Sequence, residues 1–341
     1  LDLSMDALAQ DSSFEVLDRL VGQYEEWIDG LEVDTGALHH EEVLVLRRHA
    51  DEAREAARRM RSGITLLRDD EQVRRAFQMT NRAMAEQRSR QEFHRSGGRG
   101  NPPSALDSRW RPFQIAFILT NVRGLADRDH ADRRIADLLW FPTGGGKTEA
   151  YLGIIGIAIL LRRLRDPSAA GVSVLMRYTL RLLTLQQHQR ATGLICALEL
   201  ERQREMPNSA PISIGLWVGQ GSTPNDVDTA RRALNRTRRV GSDERDDDQS
   251  DPVQLRQCPW CGHELDYHNY EIVDRSWMRV ACGEDSCTFR HGLPVHIIDQ
   301  DVYANRPSLL IGTVDKFAMM PWKKDVGRLL GTFDVAGASE R

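Results

Sequence analysis

The stretch Asp137-Leu138-Leu139-Trp140-Phe141-Pro142-Thr143-Gly144-Gly145-Gly146-Lys147-Thr148-Glu149-Ala150 decides the reading of this chain. Residues 137–141 read as a buried strand. Three consecutive glycines turn the backbone, and residues 147–165 continue as a helix. Strand, glycine-rich turn and helix in that order are the context of a phosphate-binding loop. Glycines let backbone N–H groups turn toward an anion without Cβ clashes. The helix start adds a favourable dipole. Thr143, Gly144, Gly145 and Gly146 form the expected cradle. Lys147 would bridge the β- and γ-phosphates of ATP, and the Thr148 hydroxyl would hold Mg²⁺. One departure stands out: the general motif has Gly six residues before the Lys, and Phe141 occupies that place. The competing reading is a glycine-rich turn with no ligand.

Working outward, strands and helices alternate. Residues 172–178 read as a second strand, 180–204 as a helix, 212–218 as a third strand and 309–313 as a later one. Helices of this length between strands imply a parallel α/β sheet. Upstream, Arg111-Pro112-Phe113-Gln114 lies about 30 residues before the loop. A glutamine there can read an adenine edge with its paired donor and acceptor, or it is a capping or surface residue. After the second strand comes Arg177-Tyr178-Thr179-Leu180-Arg181. Thr179 and Arg181 suit nucleic-acid phosphates, or else form a helix cap beside a solvated Arg. Thr313 and Lys316, at the end of the later strand, stand in a similar place.

Residues 1–100 read as helical. Phe14, Leu17, Leu20, Val21, Tyr24, Trp27, Ile28 and Leu31 repeat at helical spacing. Val43, Leu46, Ala50, Ala53, Ala57 and Met60 form a second stripe, and Val73, Phe77, Thr80 and Met84 a third. A linker of Gly, Asn and Pro follows, so the expected domains are 1–100 and 104–341. Arginines of residues 231–239 precede an acidic run at 243–251, read as a solvated connection.

Four cysteines make a second module within 258–300. Cys258 and Cys261 flank Pro-Trp, and Cys282 and Cys287 follow 20 residues later. Two close pairs at this separation suit a four-thiolate structural Zn²⁺ site. Two disulfides are the alternative, and they need an oxidising compartment. His263, His268 and His291 could each replace one ligand. Cys196 stands alone on an apolar helix face and reads as core.

Composition narrows the classes. The 341 residues are 40% hydrophobic and 28% charged, as in a packed globule. The longest apolar run, residues 151–161, is about half of what a membrane span needs. No basic-then-apolar leader opens the chain, so a reducing, cytoplasmic setting is expected; the chain begins with Leu1, so its native start is expected to lie upstream. Net charge is −4, which excludes a globally basic DNA-coating protein but not local contacts. Only four of 46 basic residues are Lys, and Lys147 is the one among the first 315 residues. A loop that requires a point charge explains that exception.

In their order, these motifs resemble superfamily 2 helicases, and more narrowly the helicase subunits of DISARM, a bacterial anti-phage defence system. The resemblance rests on residues 111–114, 138–150, 177–184, 258–262 and 312–318, and more weakly on 43–95. It implies a RecA-like motor domain that binds Mg·ATP and moves along DNA, with an inserted zinc ribbon. It also implies a second defence subunit and a methyltransferase as partners, with no membrane. Such motors need an Asp-Glu pair ending an apolar strand, and an arginine finger. Neither is found here, so the chain is expected to be most of a first motor domain. The alternatives are a nucleotide- and zinc-binding recruitment module without turnover, and another P-loop class such as a nucleotide kinase.

Overall fold

The computed structural model describes the chain apart from residues 34–38, 103–106, 143, 180, 220, 241–249, 323–324 and 330–341, and apart from the side chains of 32–33, 181–183 and 239–240. Two compact units result: residues 1–85 with 106–164, and residues 86–105 with 165–341. The expected division at residue 100 is not the line between them.

The first unit is helical. It holds α1 (Met5–Gln10), α2 (Glu15–Val33), α3 (His40–Asp69), most of α4 (Glu71–Arg95), α5 (Pro112–Ala126) and α6 (Lys147–Arg165). The apolar stripes explain the packing. Phe14, Leu17, Val21 and Ile28 of the first stripe, and all four residues of the third, are buried. Trp27 is the exception: it is 55% exposed and stacks on Tyr24 at the surface. Gly63 of α3 faces the Leu119 carbonyl of α5 so closely that no Cβ would fit. That bare contact lets α3 and α5 lie against each other.

Residues 137–141 correct the expectation. They form no strand, and Leu138 and Trp140 are 87% and 82% exposed. The cause is local. The Arg59 guanidinium, buried on α3, donates to both carboxylate oxygens of Asp137 at 2.6 and 2.7 Å. It also donates to Asp132 at 3.1 Å and to the Thr120 carbonyl at 3.0 Å. This fork ties the segment to the helices of its own unit.

The second unit is α/β. Its parallel sheet has β1 (Val174–Tyr178), β2 (Ile214–Trp217), β5 (Val295–His296) and β6 (Leu309–Thr313), in the order β1-β6-β2-β5. The helices α7 (Arg181–Glu205) and α8 (Val227–Val240) follow β1 and β2. The hairpin β3 (Tyr270–Val273) and β4 (Trp277–Val280) lies in the cysteine module. Short helices α9 (Asp299–Asn305) and α10 (Val314–Ala318) flank β6. All five residues of β6 are buried, as a central parallel strand requires. Trp217, Val302, Tyr303 and Leu310 form a core cluster, with the Trp217 indole N–H donating to the Tyr303 hydroxyl at 3.0 Å. Cys196 is fully buried, as expected. No helix of the described residues is long and apolar enough to cross a membrane.

Candidate functional site

The glycine loop sits in the first unit, between the 137–141 segment and α6. Gly144 and Gly146 have φ of +80° and +86°, which L side chains rarely adopt. A Cβ on Gly146 would lie 2.8 Å from Gln114 Nε2, so only glycine fits there. The helix begins at Lys147, as the sequence implied. Its ammonium curls back to donate to the Phe141 and Pro142 carbonyls, the latter at 3.3 Å. Phe141, the departure from the motif, stacks on Phe113 with ring centroids 3.9 Å apart. Thr148 is half-buried at the helix start, and Thr143 lies outside the described residues.

Gln114 is 2% exposed and joined to the loop. Its Nε2 donates to the Gly146 carbonyl at 2.7 Å, and its Oε1 accepts from the Arg111 N–H at 2.8 Å. Both ends of the amide therefore have partners within the chain, so the expected adenine-reading edge is engaged by the loop itself. Arg111, which sequence reasoning passed over, donates to the Gly145 carbonyl at 2.8 Å. Two side chains at the start of α5 thus hold consecutive loop carbonyls. The loop offers positive-φ glycines, a helix N-terminus and one ammonium, a set suited to an anion.

The cysteines converge in the second unit. Cys258, Cys261, Cys282 and Cys287 are buried, free, and have their sulfurs all within 4.8 Å of one another. Cys258 and Cys287 are 3.9 Å apart at sulfur, and Cys261 and Cys282 3.4 Å. A tetrahedron with Zn–S bonds near 2.3 Å has edges of roughly 3.8 Å, so the residues fit zinc. Electrostatics agrees. Hydrogen bonds from the Cys258 and Cys287 thiols hold Cys261 down to about 2, while burial pushes Cys282 up to about 12. Four buried thiolates can coexist only around a cation.

The knuckle is built by its backbone. Gly262 turns at φ +74°, its N–H donating to the Cys258 carbonyl at 3.0 Å. The end of α4 supports it in a way no sequence spacing signalled. Arg90 lies 3.6 Å over the Trp260 ring and donates to the Trp260 carbonyl at 2.8 Å. The Gly100 N–H donates to the Cys261 carbonyl at 2.6 Å. His263, His268 and His291 are not part of the cluster.

The proposed phosphate contacts divide. Tyr178 and Thr313 are register partners, so Thr179 and Thr313 end adjacent parallel strands at the same sheet edge. Thr179 is exposed, and the buried Thr313 Oγ1 has no partner among the described residues. The Arg181 side chain lies outside the described residues. Lys316 corrects the expectation: it is 6% exposed and ion-paired with buried Asp299, so its ammonium is turned into the core. A β6 strand buried on both faces draws the first turn of α10 inward with it.

No protein-family model matches the chain. Over 94% of its length it is 35% identical to the DISARM protein DrmA of Bacillus paralicheniformis, and it is DrmA-like across that stretch. The chain spans 30% of that protein's length.

Proposed function

We propose that this chain is the nucleotide-binding part of an ATP-dependent superfamily 2 DNA helicase or translocase serving the DISARM anti-phage system. The observation that carries the reading is the coupling of Gln114 and Arg111 to the carbonyls of Gly146 and Gly145. A glutamine bonded directly to a glycine-rich loop ahead of a helix links base side and phosphate side of one site. The likeness to DrmA supports the defence role.

In this reading the triphosphate displaces the Phe141 and Pro142 carbonyls from Lys147 and takes its ammonium. The N–H groups of residues 144–147 face the phosphate oxygens. Mg²⁺, held by Thr148, neutralises charge developing on the transferred phosphoryl group. Zinc, held by Cys258, Cys261, Cys282 and Cys287, supplies folding free energy to its module and no chemistry. Thr179, Arg181 and Thr313 would take the phosphates of a DNA strand at the ends of β1 and β6. The Asp-Glu pair, the arginine finger and the second defence subunit belong to the longer protein in this account.

The test is nucleic-acid-stimulated ATP hydrolysis by the longer protein, parent against Lys147→Ala. Loss of turnover with zinc content retained is expected. Nucleotide binding without turnover in the parent would favour a recruitment module instead.

A further inference from the structure

The second unit carries a cleft of about 420 Å³ that neither the glycine loop nor the metal cluster accounts for. Gln91 and His94 of α4 form one wall, Gln186, Gln189 and Arg190 of α7 the other, and Gln257 of the knuckle closes it. Of its lining residues five are glutamines, two are arginines and none is a carboxylate. His94 Nε2 is buried there without a hydrogen-bond partner among the described residues. Gln186, Gln189 and Arg190 fall on one helix face by their spacing.

The lining selects a ligand class. A primary amide presents a donor and an acceptor side by side, and nucleic-acid bases present the complementary pairs on their edges. Two guanidiniums with no carboxylate favour a polyanion over a basic peptide. Position agrees: α7 starts just after Thr179, and at 1.5 Å per residue Gln186 and Gln189 lie about 7.5 and 12 Å along the helix from Arg181. At about 3.4 Å per nucleotide, a strand held at Thr179 reaches the cleft within a few nucleotides.

We propose that this cleft holds an unstacked base of single-stranded DNA, its edge bonded by Gln186 and Gln189 and its phosphate by Arg190. The proposal rests on the DNA-translocase reading above and adds to it a contact with bases rather than backbone. Gln186 and Gln189 are exposed, so replacing them leaves the packing intact.

The experiment compares the full chain and its Gln186→Ala/Gln189→Ala variant by fluorescence anisotropy. The probes are a labelled single-stranded DNA of mixed sequence and an abasic sugar-phosphate oligomer of equal length. The parent should bind the base-bearing strand roughly tenfold or more tighter than the abasic one. The variant should lose most of that difference while its affinity for the abasic strand is unchanged. A parent that does not discriminate overturns the base pocket and leaves the DNA reading standing. So does a variant that keeps full discrimination, or one that weakens both strands equally. A parent that binds neither strand overturns the DNA reading and the pocket with it.

Discussion

Gly146 and Asp301 show how single residues carry the account in opposite ways. At Gly146 the backbone, not the side chain, is selected: φ is +86° and Gln114 Nε2 occupies the space of a Cβ. Gly146→Ala should destabilise the first unit by about 1–2 kcal/mol and weaken nucleotide binding, since strain and the displaced Gln114 act together. Thermal melting and nucleotide titration of the variant check both. Asp301 is 1% exposed, and its Oδ2 accepts from the Met278 N–H at 2.9 Å. Burial pushes its carboxyl up to about 7. The folded state therefore keeps a proton that the unfolded chain releases near pH 3.9. The stabilisation tied to that proton is full below pH 4 and is lost as pH rises through 7. Asp301→Asn, which keeps the acceptor and cannot ionise, should gain roughly 2 kcal/mol on the parent between pH 5 and pH 8. A gap that does not widen in melts at the two pH values would remove the buried-proton account.

Among the elements, the knuckle and the Arg59 fork test most sharply. Cys258→Ser should release zinc and loosen the module around β3 and β4, because structural zinc contributes folding free energy directly. Elemental analysis finding no metal in the parent would refute the site. Arg59→Ala should cost about 3–5 kcal/mol, since it leaves Asp132 and Asp137 partly buried without their cation. Denaturant melts check the value, and a loss below 1 kcal/mol would mean the fork is incidental. The same elements show what sequence could and could not convey. The start of α6 at Lys147, the strands around 174–178 and 309–313, and the cysteine cluster were legible, because local periodicity, glycine chemistry and ligand spacing govern them. The 137–141 segment was misread: its apolar run is strand-like, but a buried Arg 78 residues upstream decides its place. Lys316 was misread for a similar reason, since its partner Asp299 lies on another element. Arg90 over Trp260 and the glutamine cleft arise from three-dimensional assembly and have no sequence signature.

At the scale of the whole molecule, each unit contributes a different part: a helical body carrying the glycine loop, and a parallel sheet carrying the strand-end threonines and the metal knuckle. The DrmA likeness runs through both, over 30% of a longer protein. The central claim is that the loop gripped by Gln114 and Arg111 receives the triphosphate that drives movement on DNA. DNA-stimulated ATP hydrolysis by the longer protein, measured for the parent and for Lys147→Ala, tests it most directly. The account predicts DNA-dependent turnover in the parent and background rates in the variant, with zinc content and melting temperature unchanged. Equal rates in the two proteins would contradict it.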